Sequence, residues 1–139
     1  MRKTILFIFL LSISFLGKSQ KGIDYISLER QTLQCYYAAQ WDSLITIGKE
    51  GIHNGHDYFY LRFRMGVAYF YQGKYSKAIK HLEKARNFNS QDELTNRYLY
   101  LSYKSMGRYA DAEVLGKSLS DTLRKTAAYK KTPFFSNLY

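Results

Sequence analysis

The order of apolar and polar residues predicts a helix in the most aromatic part of this 139-residue chain. Residues 58–71, YFYLRFRMGVAYFY, include seven aromatic side chains, and such a composition on its own favours a β-strand. The segment is long for a strand, however, because strands usually extend over about 3–10 residues. Its apolar residues also recur every three or four positions, which is the spacing of one helix face. This apolar stripe consists of Leu61, Met65, Ala68 and Tyr69.

The same pattern returns further along the chain after one constant shift of the sequence. All the matches share one register, with a period of about 34 residues, which is typical of a repeated helix-turn-helix unit. The aligned pairs are Met65 with Leu99, Val67 with Leu101, Tyr69 with Tyr103, Gly73 with Gly107, Lys74 with Arg108, Tyr75 with Tyr109 and Ala78 with Ala112.

The same shift applied towards the start of the chain gives a weaker match. It places Trp41 at the position of Tyr75 and Cys35 at the position of Tyr69. Glycines stand at 48 and 51, where the central copy has Leu82 and an alanine. The sequence therefore predicts a first helical hairpin with a degenerate pattern.

The segment MGVAYFYQGKYSKAIKHLEKA, residues 65–85, resembles the tetratricopeptide repeat family. It has that family's order of an apolar residue with glycine, an aromatic residue, glycine-x-aromatic, alanine, a large apolar residue and alanine. The copy at residues 99–119 departs from this order at Tyr100, Gly116 and Leu119. In the central copy the residues that match the family pattern are Met65 with Gly66, Tyr69, Gly73 with Tyr75, Ala78, Leu82 and Ala85.

The resemblance covers residues 25–119 and implies an all-α fold. The expected architecture is an α-solenoid of about three antiparallel helical hairpins, the first degenerate, with a C-terminal capping helix. That capping helix is predicted to begin near Ser120 and to end before Pro133.

Polar residues predict where two of the helices begin. Asp57 is expected to cap the helix that follows the HNG turn. Ser90 and Glu93 have the spacing of a capping box, in which the serine caps the helix and the glutamate reaches back to it.

Residues 1–19, MRKTILFIFLLSISFLGKS, have the composition of a cleavable secretory signal peptide. Arg2 and Lys3 precede an apolar run that is shorter than the about 20 residues needed to cross a bilayer. The sequence predicts export to the periplasm or cell envelope of a Gram-negative bacterium, with a helical domain at residues 20–131 and an aromatic tail at residues 132–139. Two arrangements stay open: a separate scaffold protein, or the soluble periplasmic arm of a larger outer-membrane-associated protein.

The chain is basic, with 21 Lys and Arg against 11 Asp and Glu, which gives a formal net charge of +10. Without Arg2, Lys3 and Lys18 of the predicted signal peptide, 18 basic residues remain and the charge is +7. In an exported protein this charge favours anionic lipid, polysaccharide or an acidic protein over nucleic acid. A solvated basic surface without a partner is the alternative. The candidate anion-binding cations are Arg62, Lys74, Lys77, Lys80, Lys84, Arg124, Lys125, Lys130 and Lys131.

The resemblance also implies a binding surface, because first helices of such repeats line a concave groove that holds a peptide or protein. The helix at residues 58–71 has more apolar residues than one hairpin needs, so the excess either contacts neighbouring repeats or lines the groove. Arginine binds carboxylates with paired hydrogen bonds and aromatic faces bury apolar groups, so the expected partner is acidic or extended. The candidate partner-binding residues are Phe63, Arg64, Val67, Tyr71, Arg97 and Lys104.

Few residues suggest chemistry. The segment HNGHD, residues 53–57, contains two histidines and an aspartate, but His81 lies a repeat away and Asn-Gly favours a tight turn. No serine or cysteine stands in a recognisable nucleophile motif, and there is no glycine-rich phosphate loop. Cys35, the single cysteine, falls on a core position and is expected to be buried. The sequence predicts a protein without catalytic activity, metal or cofactor.

Overall fold

The computed structural model describes residues 23–117 and Leu119. These residues form six α-helices and no β-strand. The helices are α1 (Tyr25–Tyr37), α2 (Trp41–His53), α3 (Phe59–Tyr71), α4 (Tyr75–Phe88), α5 (Glu93–Ser105) and α6 (Tyr109–Gly116). The aromatic segment is therefore helix α3.

The helices repeat in the register that the sequence predicts. The starts of the first helices and the starts of the second helices are each separated by the period of the predicted repeat, and the described chain is an all-α solenoid of three hairpins. This prediction is confirmed. The predicted signal peptide, the capping helix near residue 120 and the tail at residues 132–139 lie outside the described residues. The first helices begin at Tyr25, Phe59 and Glu93, and the second helices begin at Trp41, Tyr75 and Tyr109.

The solenoid curves towards its first helices. Helix α3 contacts both α1 and α5 directly, and α2 and α4 each pack between two first helices. Among the described helices, no contact of comparable extent joins successive second helices. Because the first helices lie closer together than the second helices, α1, α3 and α5 are on the concave side. No described helix is long and apolar enough to cross a membrane.

The turn between the helices of each hairpin has the same backbone geometry three times. Ala39, Gly73 and Gly107 lie at equivalent positions and all have positive φ, of 52°, 70° and 71°. In the central turn the Lys74 amide donates to the Tyr69 carbonyl oxygen at 2.9 Å, which closes a Schellman motif at the end of α3. Ala39 therefore occupies a backbone conformation that glycine adopts at lower cost.

Two of the departures from the family pattern in the third hairpin compensate each other. In the central hairpin a Cβ atom added at Gly66 would lie 2.6 Å from the Leu82 side chain, so the glycine makes room for the leucine. In the third hairpin Tyr100 replaces the glycine and Gly116 replaces the leucine. A Cβ atom added at Gly116 would lie 3.2 Å from the Tyr100 ring. The large residue and the small residue have exchanged helices, and the contact is kept.

Two predicted helix starts differ in the structure. The cap of α5 is Asp92, whose carboxylate accepts from the Thr95 amide at 2.8 Å, so the capping box of Ser90 and Glu93 is wrong. Because α5 begins at Glu93, this glutamate stands too early in the helix to reach back to a cap. Asp57 is not a cap either, because its carboxylate is held by an arginine described below, and α3 begins without a side-chain cap.

The core runs along the interface between the two helix layers. Leu61, Met65, Ala68 and Tyr69 are buried, as the apolar stripe predicts, and Ala78 and Leu82 meet them from α4. Cys35 is also buried, and this prediction is confirmed.

Candidate partner-binding surface

Four of the six predicted partner-binding residues lie inside the fold. Phe63, Arg64 and Arg97 are 9%, 5% and 8% exposed, and Val67 has no exposed surface. Tyr71 is partly buried. The sixth residue, Lys104, is also partly buried and holds its ammonium group 5.6 Å from the centre of the Tyr100 ring. Binding of a partner by these residues stays a prediction, but most of their surface is used within the solenoid.

Arg64 links the first two hairpins through a buried polar network. Its guanidinium donates to Glu29 Oε1 at 2.7 Å and to Thr32 Oγ1 at 3.1 Å, both on α1. The Tyr58 hydroxyl donates to the other oxygen of Glu29 at 2.7 Å. The hydrogen bond from Arg64 is the main reason that the pKa of Glu29 is below its ordinary value. The charge of Arg64 is therefore compensated by α1.

Phe63 and Tyr71 join three first helices through an aromatic cluster. The Phe63 ring lies 6.0 Å from the Tyr36 ring of α1 and 6.3 Å from the Tyr98 ring of α5. The hydroxyl groups of Tyr71 and Tyr98 are 3.0 Å apart, and the Tyr71 ring stacks on Trp41 at 5.0 Å. Burial raises the pKa of Tyr36 to about 12. Part of the apolar excess of α3 thus contacts neighbouring repeats, which was one of the two alternatives for it.

The concave side also presents an exposed row that the sequence prediction missed. Ile26, Tyr60 and Leu94 are 68%, 55% and 38% exposed. They occupy the second position of α1, α3 and α5, so they are equivalent in the three hairpins. Tyr60 shares a helix face with Arg64, whose guanidinium carbon lies 5.5 Å from the centre of the tyrosine ring. We name Ile26, Tyr60 and Leu94 the inner row.

A polar turn occupies the segment that could have suggested a metal site. His56 Nε2 is 2.9 Å from the Ile23 carbonyl oxygen, and Asp57 receives two hydrogen bonds from Arg62, at 2.6 and 2.7 Å. His81 Nδ1 lies 3.4 Å from Arg62 Nη1. The described residues contain no group of three His, Cys, Asp or Glu side chains placed to hold a metal ion.

His81 lies between cations. Burial is the largest cause that lowers its pKa to about 4, and the positive charges of Arg62, Lys80 and Lys49 lower it further. Asp57 acts in the opposite direction. At neutral pH the His81 ring is therefore uncharged.

A surface cleft of about 320 Å³ opens between α5 and α6. Lys104, Tyr100 and Tyr109 line it together with Gly116 and Lys117. The cleft is near the end of the described residues, where the third hairpin has no described neighbour.

Residues 59–92 match the family model of the tetratricopeptide repeat. The matched residues include α3, the central turn and α4, and these two helices have the most extensive mutual contact among the described helices. The chain therefore carries a tetratricopeptide repeat, with a hairpin of the same register on each side. No curated protein and no solved structure matches the chain. Repeats of this family generally mediate protein–protein interactions, which supports a role as an interaction scaffold.

Proposed function

We propose that this chain is a non-catalytic scaffold of the bacterial cell envelope that binds a protein or peptide partner on the concave side of its solenoid. The observation that carries the proposal is the inner row, in which Ile26, Tyr60 and Leu94 stay exposed at one repeated position. A single exposed apolar side chain is common on protein surfaces. Three at equivalent positions on neighbouring first helices repeat an exposed apolar feature along the concave side, which supports a binding surface there.

The spacing of the inner row favours an extended partner. Packed helices have axes about 8–10 Å apart, and successive members of the row lie on neighbouring first helices. A partner in the polyproline II conformation advances about 3.1 Å per residue with three residues per turn, so every third side chain lies on one face and meets the next member of the row.

The charge beside the inner row supports carboxylates on the partner. Arg30 of α1 is exposed one helical turn after Ile26, and none of the described residues pairs with it. Its equivalent in the central hairpin, Arg64, is already paired with Glu29. The proposed acidic contact is therefore with Arg30 rather than with Arg64.

The assignment to the cell envelope rests on the sequence at the start of the chain. Arg2 and Lys3 followed by an apolar run support export. Fractionation of the producing bacterium, with detection of the tagged chain, tests this part of the proposal. Recovery of the chain from the cytoplasm alone would contradict it.

A capture experiment with matched variants tests the binding surface. Ile26→Ser, Tyr60→Ser and Leu94→Ser are combined in one variant, and Met106→Ser and Val114→Ser, two exposed apolar positions outside the inner row, are combined in a second. Both variants are compared with the unaltered chain for capture of envelope proteins. We expect the inner-row variant to lose a specific captured protein that the control variant retains. Equal capture by both variants would refute the inner row as the binding surface.

A further inference from the structure

We propose that the outer side of the solenoid carries a second interaction surface, and that the exposed face of α4 binds the surface of an anionic lipid bilayer. We name this surface the lysine face, and it consists of Lys77, Lys80, Lys84 and Phe88. It lies on the opposite side of the molecule from the inner row and does not depend on the partner proposed there.

The lysine face follows from the helical spacing of α4. Lys77, Lys84 and Phe88 stand two turns and then one turn apart, which places them in one line along the helix, with Lys80 beside them. All four are exposed. The opposite side of α4 is buried against the neighbouring helices through Ala78, Ile79, Leu82 and Ala85.

The charge of this face is only partly compensated within the described chain, because the Asp57 carboxylate attracts Lys84. None of its three lysines forms an ion pair with a described residue. The nearest acid on the helix is Glu83, which accepts a hydrogen bond from the Tyr103 hydroxyl of α5 at 2.7 Å. The described residues contain 13 Lys and Arg and 10 Asp and Glu, a net charge of +3. The lysine face therefore carries as many positive charges as the whole net charge of this region.

A bilayer suits this face better than a soluble polyanion because of Phe88. Its side chain is 53% exposed and stands in line with Lys77 and Lys84, at the end of the helix. An aromatic ring beside long lysine side chains enters the headgroup region while the ammonium groups stay with the phosphates. The face lies on the convex side of the solenoid, and a convex side meets a flat membrane without obstruction by the inner helices.

Each lysine near an anionic membrane surface strengthens binding by about fivefold. The loss of three lysines is therefore expected to weaken binding by about a hundredfold. Because the attraction is electrostatic, it is also expected to fall as the salt concentration rises.

His81 provides an internal reporter of binding. It faces Arg62 and Tyr69 of α3, Lys80 on its own helix, Lys49 of α2 and the Asp57 carboxylate. Anionic headgroups on the lysine face compensate part of the positive charge of Lys80. The pKa of His81, now lowered to about 4, is therefore expected to rise when the bilayer binds.

The experiment measures co-sedimentation of the full chain with vesicles that contain either neutral lipid alone or neutral lipid with about a third of anionic lipid. The lysine-face variant combines Lys77→Ala, Lys80→Ala and Lys84→Ala. The control variant combines Arg30→Ala, Arg108→Ala and Lys117→Ala, which removes the same charge from exposed positions on α1 and at the two ends of α6. We expect the lysine-face variant to bind anionic vesicles about a hundredfold more weakly than the unaltered chain, and the control variant to bind them less than about tenfold more weakly. Equal losses in the two variants would overturn the proposal.

Phe88→Ser separates a bilayer from a soluble polyanion. We expect this substitution to weaken anionic-vesicle binding several-fold and to leave binding of inorganic polyphosphate unchanged. An equal effect on both ligands, or none on the vesicles, would overturn the assignment to a bilayer. In NMR titrations of the His81 ring, an increase of its pKa with anionic vesicles and not with neutral vesicles is expected, and an unchanged pKa would contradict the placement of the headgroups.

Discussion

Replacement of Arg64 by methionine tests how the first two hairpins are held together. From the sequence alone Arg64 is a surface residue of a groove, and its removal would be expected to change the free energy of unfolding by less than about 0.5 kcal/mol. In the structure its side chain is 6% exposed and contacts Glu29 and Thr32 on α1. The two descriptions predict different results.

The expected loss follows from the contacts of the guanidinium group. Arg64→Met removes a charge-assisted hydrogen bond to Glu29 at 2.7 Å and a second hydrogen bond to Thr32 at 3.1 Å. Hydrogen bonds to charged groups contribute about 1.5–3 kcal/mol and neutral ones about 1 kcal/mol. Glu29 keeps its bond from Tyr58 and is 27% exposed, so water replaces part of what it loses. We expect the free energy of unfolding to fall by about 2–4 kcal/mol.

Urea denaturation, followed by far-ultraviolet circular dichroism, measures this loss. Arg30→Met is the matched control, because Arg30 is the equivalent residue of the first hairpin and is exposed. Its effect is expected to stay within about 0.5 kcal/mol. A double-mutant cycle of Arg64→Met with Glu29→Gln is expected to give a coupling energy of about 1–3 kcal/mol. Equal losses at Arg30 and Arg64, or a coupling energy near zero, would refute the reasoning.

Three further sets of substitutions test the turns, the packing and the pH dependence. Ala39 and Gly73 both have positive φ, a conformation that glycine adopts at lower cost than alanine. Ala39→Gly is therefore expected to raise the free energy of unfolding by about 0.5–1 kcal/mol, and Gly73→Ala to lower it by about 1 kcal/mol. Urea melts in which both substitutions change the stability in the same direction would contradict this. Ala78→Leu is expected to cost about 1–3 kcal/mol by overpacking, and Ala112→Leu less, because the third hairpin has a described neighbour on one side only; a larger loss at Ala112 would disagree with the repeat. The pKa of His81 falls from 6.5 to about 4 on folding, so the unfolded chain binds a proton at this ring at a higher pH than the folded chain does. The free energy of unfolding is therefore expected to decrease by on the order of 2 kcal/mol as the pH is lowered from 6.5 to 4. His81→Gln is expected to reduce this slope in thermal melts, and an unchanged slope would assign the pH dependence to other groups.

The repeat register could be predicted because it depends on residues with strong local preferences. Gly73 and Gly107 mark the turns, and small residues such as Ala78 mark the crossing points of the helices, so one constant shift of the sequence aligns them. The first turn was harder to predict, because Ala39 adopts a conformation for which its sequence gives no signal. The Gln40 amide donates to the Cys35 carbonyl oxygen at 2.9 Å and closes this turn, on either side of which α1 and α2 pack together.

The surface could not be predicted from the helix periodicity. Its position on the concave side predicts that Arg64 is exposed. In the structure Arg64 is buried, because its guanidinium donates a hydrogen bond to Glu29 on the neighbouring first helix. Val67, on the same helix, has no exposed surface, and α3 contacts both neighbouring first helices. Exposure of the inner row depends on how neighbouring hairpins are spaced. The signal in the sequence that could have suggested this row is the apolar residue at the same position of all three first helices, which is Tyr60 in the central hairpin.

Site-specific photo-crosslinking tests the central claim most directly, namely that the inner row contacts a partner. A photoreactive phenylalanine derivative is placed at Tyr60, which is 55% exposed on the concave side, and in a separate chain at Val114, which is 71% exposed on α6. Irradiation is carried out in the cells that produce the protein, and crosslinked proteins are identified by mass. We predict a specific protein adduct from position 60 that is absent from position 114. An adduct from position 114 alone, or the same adducts from both positions, would contradict the account.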